Sequence, residues 1–205
     1  MKRVGVLISG RGTNLQALID AAREGRLGGE IAAVVSNVEA AAGLDRARAA
    51  GVPVVFHDHR GRSREVHDRD VARTLEDHGV DLVCLAGYMR VLSPWFVRQY
   101  PNRILNVHPS LLPAFPGLEA QHQAWEHGVR VSGATVHLVD EGLDRGPIVL
   151  QEAVPVLVGD TPEILAGRIL EAEHRLYPRA VKILAQGRYK IEGRRVILEE
   201  SLVAG

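Results

Sequence analysis

The chain has 205 residues, of which 46% are hydrophobic and 24% charged, and its 25 basic residues balance its 25 acidic ones. This composition excludes a disordered chain and argues against a nonspecific nucleic-acid binder. No apolar run approaches the ~20 residues that span a bilayer, and the single cysteine, Cys84, excludes an internal disulfide or a multi-cysteine zinc site. We expect a folded, cytoplasmic protein with neither a membrane nor a nucleic-acid partner.

Strands and helices are predicted to alternate along the first half of the chain. Short apolar runs predict strands at Arg3–Ser9, Ile31–Ser36, Val52–Phe56, Asp81–Ala86 and Ile104–Val107. Helices are predicted at Thr13–Gly25, Ala40–Ala50, Ser63–His78 and Pro94–Gln99. Apolar strands without alternation are typical of a parallel sheet covered on both faces. The order therefore predicts an α/β fold, a doubly wound, mostly parallel sheet with helices on both faces.

The second half of the chain has a different character. Its proline-rich segment Pro109–Gly117 predicts an ordered loop, and Asp140–Gly146 an acidic turn. Further helices are predicted at Leu118–His127 and Thr161–Gln186, and strands at Ser132–Val139, Ile148–Val156, Tyr189–Ile191 and Val196–Leu198. We expect Pro178 to kink or break the long helix. No repeat or linker divides the chain, so we expect one domain over residues 1–205.

A glycine-rich segment, Gly10–Asn14, lies between the first strand and the first helix. Glycines at this point let backbone N–H groups approach an anion at the positive end of a helix. The segment lacks a Walker A ending, and Leu15 replaces the third glycine of a dinucleotide fingerprint. A phosphate site is therefore favoured over an NAD site, although a tight strand–helix turn capped by Thr13 or Asn14 explains the residues equally well.

Asn106 and His108 are the sharpest local feature. Residues two apart on a strand point to the same side, and Pro109 ends the strand after His108. A carboxamide and an imidazole at the carboxyl end of a parallel strand suit oxyanion stabilisation and proton relay. A buried, hydrogen-bonded histidine beside a turn is the simpler explanation of this pattern taken alone.

Three other segments are candidates for the same site. Asp144 is a possible carboxylate partner for the imidazole, or a member of a surface acidic turn. Met89–Leu92 would line an apolar ligand slot or simply pack, and Glu173 would bind a hydroxyl or amine or pair with an arginine. All but Glu173 follow a predicted strand, as the glycine segment does, so they converge if the strands are parallel. The histidines show no zinc spacing, and we expect no metal.

From Val4 to about Tyr189 the chain resembles the phosphoribosylglycinamide formyltransferase family. The segments that carry the resemblance are Ile8–Gln16, Leu85–Ser93, Ile104–Pro113, Gly133–His137 and Asp144–Pro147. Each segment alone is a weak indication of the family, but the shared order and spacing of the segments make the resemblance strong. In contrast to many relatives, which carry histidines just after Pro-Gly-Leu, this chain has Glu119-Ala120-Gln121-His122. This departure argues against a role for a histidine pair in that loop.

The resemblance implies transfer of a formyl group from 10-formyltetrahydrofolate to the amine of N1-(5-phosphoribosyl)glycinamide, a step of purine biosynthesis that needs no metal. It implies ribotide contacts at Gly12, Thr13, Asn14 and Glu173. It implies folate contacts at Arg64, Met89, Arg90, Val91, Leu92, Asn106, Asp140, Glu141, Gly142, Leu143 and Asp144. Asn106 and His108 would stabilise the tetrahedral oxyanion, while Asp144 supports a protonated His108 or an ordered water.

The resemblance also implies a division of labour along the chain. Residues of about 1–100 would bind the ribotide phosphate, and residues of about 101–205 would bind folate and carry out catalysis. We expect a monomer or a homodimer that acts on small molecules.

Four alternatives stay open at the level of the sequence. A formyltetrahydrofolate hydrolase would use a related site with water as acceptor, but we expect no N-terminal regulatory domain here. A methionyl-tRNA formyltransferase would carry an Arg-containing run where this chain has Pro113–Gly117, and an added C-terminal domain. A non-catalytic nucleotide-binding module and an NAD-dependent oxidoreductase complete the set, the latter disfavoured by Leu15 and Ser36-Asn37.

Overall fold

A computed structural model describes residues 1–199 of the chain. One sheet of nine strands runs through this part, in the order β3-β2-β1-β4-β5-β6-β7-β9-β8. The strands are β1 (Lys2–Ile8), β2 (Gly29–Ser36), β3 (Val54–Phe56), β4 (Leu82–Leu85), β5 (Ile104–His108), β6 (Val131–Leu138), β7 (Ile148–Pro155), β8 (Tyr189–Glu192) and β9 (Arg195–Leu198). The helices are α1 (Thr13–Arg23), α2 (Ala42–Ala49), α3 (Arg64–Asp77), α4 (Pro94–Gln99), α5 (Ala120–Glu126) and α6 (Pro162–Gln186).

The first five strands pair in parallel, whereas β6 pairs antiparallel with both β5 and β7. The chain winds from β1 outward to β3 and then returns to the other side of β1 with β4. This reversal between β1 and β4 opens a crevice at the carboxyl ends of the strands, where sheets of this type bind ligands. The predicted doubly wound, mostly parallel sheet is confirmed, as is the terminal hairpin of β8 and β9.

Helices cover both faces of the sheet because alternate strand residues point to opposite faces. On β1, Val6 and Ile8 are buried in one core cluster together with Leu15 of α1, while Leu7 is buried in a second cluster. This second cluster contains Leu75 of α3. The two apolar layers fix the orientation of the strands, and hence of the loops that leave their carboxyl ends.

The long helix α6 differs from expectation at Pro178. The helix runs without interruption from Pro162 to Gln186, so the predicted break is wrong. Proline in a helix interior costs about 3 kcal/mol. Tyr177, Ala180 and Val181, which flank Pro178, are fully buried against the sheet, and this packing outweighs the cost.

Candidate active site

Three strand ends lie side by side at one edge of the sheet. Leu7 of β1 is in register with Leu85 of β4, which in turn is in register with Asn106 of β5. Neighbouring strands are about 4.8 Å apart, so the β1 and β5 positions are separated by roughly 10 Å. The glycine turn, the Met89–Leu92 segment and the end of β5 therefore converge, as predicted from their positions after parallel strands.

Asn106 and His108 project from the same face of β5. Leu105 and Val107, which alternate with them, belong to the core cluster on the opposite face. The antiparallel neighbour β6 brings His137 opposite Asn106, where Asn106 Nδ2 lies 3.2 Å from His137 Nε2. The predicted side-by-side arrangement is therefore present, and a second imidazole joins it.

Asp144 bridges the two imidazoles. Its Oδ2 lies 3.5 Å from His108 Nδ1 and its Oδ1 lies 3.6 Å from His137 Nε2. The Gly117 backbone N–H also donates to Oδ2 at 2.8 Å, which ties the carboxylate to the end of the proline-rich loop. Asp144 has a positive φ of 50°, a conformation that a non-glycine residue rarely adopts. The carboxylate is thus held over both histidines rather than in a surface turn.

The partners of each ring assign its protons. The Phe115 carbonyl lies 2.8 Å from His108 Nε2, and because a carbonyl only accepts, Nε2 carries a hydrogen. The Leu138 carbonyl lies 2.9 Å from His137 Nδ1, so that nitrogen also donates. With His137 neutral, Nε2 accepts from Asn106, which leaves the second amide hydrogen of Asn106 free to donate elsewhere. With His137 protonated, Nε2–H points instead to Asp144 Oδ1, 3.6 Å away.

Burial and charge shift the titration of this cluster in opposite directions. Burial lowers the pKa of His108 below its ordinary value, although the Phe115 carbonyl and the Asp144 charge oppose the shift. Burial alone would raise the pKa of Asp144, but the interactions with His137, the Gly117 amide and His108 outweigh it and lower that pKa. The cluster therefore keeps an ionised carboxylate beside an imidazole that gives up its proton readily.

The proline-rich loop is fixed by buried hydrogen bonds. Thr135, directly opposite His108 on β6, donates through Oγ1 to the Ser110 carbonyl at 2.7 Å and accepts from the Leu112 N–H at 3.0 Å. The Ser110 hydroxyl donates to the Ala114 carbonyl at 2.5 Å. Both hydroxyl residues are fully buried. These bonds set the path of the loop and hence the position of the Phe115 carbonyl that faces His108.

The glycine turn packs tightly against α2. Gly12 has a positive φ of 69°, and a Cβ at this position would lie 2.5 Å from the Cα of Gly43. The Gly43 N–H donates to the Gly10 carbonyl at 3.0 Å. No side chain caps the start of α1, where Gly12 is the N-cap residue, so the suggested Thr13 or Asn14 cap is wrong. The turn therefore has a structural reason for its glycines and also leaves the helix N-terminus open to an anion.

Asn14 and Glu173 meet between α1 and α6. Asn14 Nδ2 donates to Glu173 Oε2 at 2.6 Å, and both side chains are buried. Burial raises the pKa of Glu173, while the bond from Asn14 opposes the shift. The Asn14 Oδ1 atom is buried without a partner among the described residues. Glu173 thus pairs with an amide rather than with an arginine, and the two predicted ribotide contacts are neighbours.

The predicted folate contacts form an open rim. Met89 and Val91 are 70% and 55% exposed, whereas the side chain of Leu92 is buried in the core. Arg64 is exposed at the start of α3. Asp140, Glu141, Gly142 and Leu143 form an exposed loop that leads to Asp144, and Arg98 donates to Glu141 at 2.7 Å.

The other histidines that sequence reasoning considered have protein partners. His57 Nε2 lies 2.8 Å from Thr74 Oγ1, and His59 Nδ1 lies 2.8 Å from the Asn37 carbonyl. Within residues 1–199, no group of three or more metal-ligating side chains is arranged to hold a metal ion. Over the same residues, none of the helices has the length and apolar character needed to cross a bilayer.

His137 and Thr135 are the site residues to which sequence reasoning assigned no role. Both lie in the Gly133–His137 segment that carries part of the family resemblance. Their two-residue spacing indicates a shared strand face, which was a usable signal. The register that brings them opposite Asn106 and His108 depends on the pairing of β5 with β6, which local sequence does not specify.

The fold and the histidine–carboxylate cluster define a member of a known family. A family profile described as "Formyl transferase" matches residues 2–181, and the chain belongs to that family. The chain is 45% identical over 187 residues to phosphoribosylglycinamide formyltransferase of Escherichia coli (strain K12), covering 91% of this chain and 88% of that protein. A solved structure of glycinamide ribonucleotide transformylase 1 from Symbiobacterium toebii superposes with a TM-score of 0.96 at 58% identity, covering 98% of this chain and 95% of that one.

Longer relatives contain a segment of the same kind. The chain is 53% identical over 189 residues to the trifunctional purine biosynthetic protein adenosine-3 of Drosophila pseudoobscura pseudoobscura, covering 91% of this chain. It spans only 14% of the length of that protein. The similarity therefore concerns one part of the trifunctional protein.

Proposed function

We propose that this chain transfers the formyl group of 10-formyltetrahydrofolate to the amine of N1-(5-phosphoribosyl)glycinamide, a reaction of purine biosynthesis. The observation that carries the proposal is the carboxylate of Asp144, held between His108 and His137 with Asn106 beside them. This cluster lies at the sheet edge that also carries the glycine turn. The high identity to phosphoribosylglycinamide formyltransferases over nearly the whole chain supports the same reaction.

The reaction needs no nucleophile from the protein because the ribotide amine itself attacks the formyl carbon. As the carbon becomes tetrahedral, its carbonyl oxygen takes up negative charge. The free amide hydrogen of Asn106 donates to that oxygen, and Nδ1–H of His108 does so when the ring is protonated, because the Phe115 carbonyl already accepts from Nε2–H. The negative charge of Asp144 stabilises His108 when it is protonated, or orders a water that carries the proton from the attacking amine. The amine–formyl bond forms, the bond to folate N10 breaks, and N10 gains a proton.

The ribotide would bind at the glycine turn and the adjacent polar pair. Backbone N–H groups of Gly12, Thr13 and Asn14 at the start of α1 suit a phosphate, because they lie at the positive end of the helix. Glu173 accepts from Asn14 and has a second oxygen for a ribose hydroxyl or the glycinamide amine. The distance across the strand ends, roughly 10 Å, suits a molecule that carries its phosphate and its amine at opposite ends.

The rim at the end of β4 fits a folate. A folate combines a flat ring system with a carboxylate-bearing tail. Exposed apolar side chains of Met89 and Val91 would cover the rings, while the guanidinium groups of Arg64 and Arg90 suit the tail. The loop of residues 140–144 offers backbone groups for the ring edge. The Nε atom of Arg90 is buried and has no partner among the described residues, which is the state expected of a donor awaiting an anion.

The assay that tests this function compares two reactions of the purified chain. With 10-formyltetrahydrofolate and the ribotide together, we expect tetrahydrofolate to be released and formylated ribotide to accumulate. With 10-formyltetrahydrofolate alone we expect no turnover. Turnover without the ribotide would mean a hydrolase, and absence of turnover in both reactions would mean a nucleotide-binding module or another class.

We further infer that the active species is a cytoplasmic monomer or homodimer acting on small molecules alone. The balanced charge of the chain supports the absence of a nucleic-acid partner. We expected residues before about 100 to bind the ribotide and those after it to bind folate and carry out catalysis. The proposed site does not follow this boundary strictly. Glu173 would serve the ribotide from the second half, and Arg64 and Met89 would serve the folate from the first.

A further inference from the structure

The segment of residues 87–93, which joins β4 to α4, is tied down at its start by Ser9. The Ser9 backbone N–H donates to the Gly87 carbonyl at 3.1 Å, and the Met89 N–H donates to Ser9 Oγ at 2.8 Å. The Ser9 hydroxyl in turn donates to Asn37 Oδ1 at 2.6 Å. The beginning of the segment is therefore fixed to the ends of β1 and β2.

The other end of the segment is held by Asp68 of α3. Its Oδ2 accepts from the Ser93 backbone N–H at 2.6 Å, and the two residues are only 1% and 3% exposed. Ser93 is also the N-cap of α4, where its hydroxyl accepts from the Phe96 N–H at 3.2 Å. A buried hydrogen bond to a charged acceptor is stronger than a neutral one. Asp68 therefore fixes the position of Ser93, where the segment of residues 87–93 ends and α4 begins.

Three buried polar atoms of this segment and of Asp68 make no hydrogen bond within the described residues. They are Tyr88 Oη, Arg90 Nε and Asp68 Oδ1, and the last of these lies 3.6 Å from Nδ1 of the buried His67. Burial raises the pKa of Tyr88, the charge of Asp68 raises it further, and that of Arg90 opposes the shift. The Asp68 carboxylate and the Arg90 guanidinium thus act with opposite charge on the same buried hydroxyl.

Asp68 also connects two separate parts of the proposed folate rim. Arg64 and Asp68 are four residues apart on α3 and therefore share one side of the helix. We propose that Asp68 is a positioning residue for the folate site, because its carboxylate ties the Met89–Leu92 rim to the helix that carries Arg64. This inference rests on the proposed function and assigns Asp68 no contact with the reacting atoms.

Two substitutions at Asp68 separate its roles, with Asp70→Asn as the control. Asp68→Asn keeps the size and the acceptor but removes the charge, whereas Asp68→Ala removes both. Asp70 lies on the same helix, is 28% exposed and pairs with Arg62. We expect the KM for 10-formyltetrahydrofolate to rise about tenfold to a hundredfold in Asp68→Ala, and less in Asp68→Asn. The KM for the ribotide and kcat should change less than about twofold, and Asp70→Asn should match the wild type.

Binding and amide exchange provide readouts that do not depend on turnover. Calorimetric titration with 10-formyltetrahydrofolate should show the same order of affinity, wild type above Asp68→Asn above Asp68→Ala. The Ser93 amide should exchange slowly in the wild type and in Asp68→Asn, and rapidly in Asp68→Ala. Equal folate affinity in all three proteins, or a fall in kcat with unchanged folate KM, would overturn the inference.

The design also separates this inference from the function on which it rests. A wild-type chain that binds the folate but shows no turnover would overturn the proposed reaction, and the order of affinities would then decide the role of Asp68. A wild-type chain that does not bind it would overturn both. If neither Asp68 variant folds, hydrogen exchange of the Ser93 amide in the wild type tests the inference. Rapid exchange would contradict the buried hydrogen bond between Ser93 and Asp68.

Discussion

Asn106 and His137, 31 residues apart in the chain, face each other across β5 and β6 with 3.2 Å between Nδ2 and Nε2. Since Nδ1–H of His137 donates to the Leu138 carbonyl, Nε2 of the neutral ring is an acceptor. The ring therefore turns the amide nitrogen of Asn106, rather than its oxygen, toward β6. This fixes the direction in which the remaining amide hydrogen can donate.

Replacement of His137 by leucine should lower kcat while the chain stays folded. The substitution removes the acceptor that orients Asn106 and one partner of Asp144, and an unsatisfied buried polar group costs about 1–3 kcal/mol. We expect kcat to fall about tenfold to a hundredfold, with smaller changes in either KM. His122→Leu, on the exposed side of α5, is the matched control. Steady-state kinetics in which both variants match the wild type would exclude this role for His137.

Replacement of His108 by alanine should have a larger effect on kcat than on folate binding. His108 donates to the developing oxyanion, and loss of one such donor costs about 10²–10³ in rate. The folate rim at Met89–Leu92 does not depend on the imidazole, so the Kd for 10-formyltetrahydrofolate should change little. His122→Ala, on the exposed side of α5, is the control for a general loss of histidine. A near-normal kcat in His108→Ala would falsify the assigned role.

The sequence could predict the parts of the site that depend on local pattern. Alternation along β5 predicts that Asn106 and His108 share a face, and the positions of the glycine turn and Met89–Leu92 after parallel strands predict convergence at one edge. Both follow from short-range geometry that an apolar run and a proline specify. Asp144 follows β6, which is antiparallel to β5, so the parallel-strand argument did not predict its place beside His108 correctly. The order β1-β4-β5 and the reversal beside β1 follow from the rules of doubly wound sheets.

The rest of the site depends on contacts between distant residues, which local pattern does not specify. The tie between Asp68 and Ser93 joins residues 25 apart, and that between Asn14 and Glu173 joins residues 159 apart. Pro178 shows the opposite limitation, since a strong local signal for a break was overridden by burial of the surrounding helix face. Tertiary packing decided each of these cases.

Replacement of Glu173 by glutamine should stabilise the chain at neutral pH and weaken ribotide binding. The pKa of Glu173 is raised in the folded state by burial, so its ionisation costs stability that is absent at low pH and grows as pH rises through the folded pKa. Glutamine carries no charge and can still accept from Asn14. We expect a higher Tm for Glu173→Gln at about pH 8 and a smaller difference at about pH 5.

Glu173→Gln should also show a raised KM for the ribotide, because it lacks the Glu173 carboxylate that we propose binds a hydroxyl or the amine of the ribotide. Thermal melts at the two pH values and steady-state kinetics check the two parts separately. A Tm difference that is larger at pH 5 than at pH 8 would contradict the sign of the shift. An unchanged ribotide KM would remove Glu173 from the ribotide site.

Replacement of Gly12 by alanine should destabilise the chain more than the same change at Gly25. Both glycines have a φ of 69°, and an alanine in this conformation costs about 1–2 kcal/mol at either position. A Cβ at Gly25 meets no atom within 4 Å, whereas at Gly12 it would lie 2.5 Å from the backbone of Gly43. The overpacking at Gly12 adds about 1–3 kcal/mol because backbone on both sides has to move.

Urea unfolding of the two variants measures this difference directly. We expect Gly25→Ala to lose about 1–2 kcal/mol of unfolding free energy and Gly12→Ala roughly 2–5 kcal/mol. Because the same displacement moves the backbone N–H groups at the start of α1, Gly12→Ala should also bind inorganic phosphate and the ribotide more weakly, while Gly25→Ala should bind both normally. Equal losses of unfolding free energy in Gly12→Ala and Gly25→Ala would show that the glycine turn accommodates a Cβ without overpacking. Normal ribotide binding by Gly12→Ala would show that the glycine turn does not bind the ribotide phosphate.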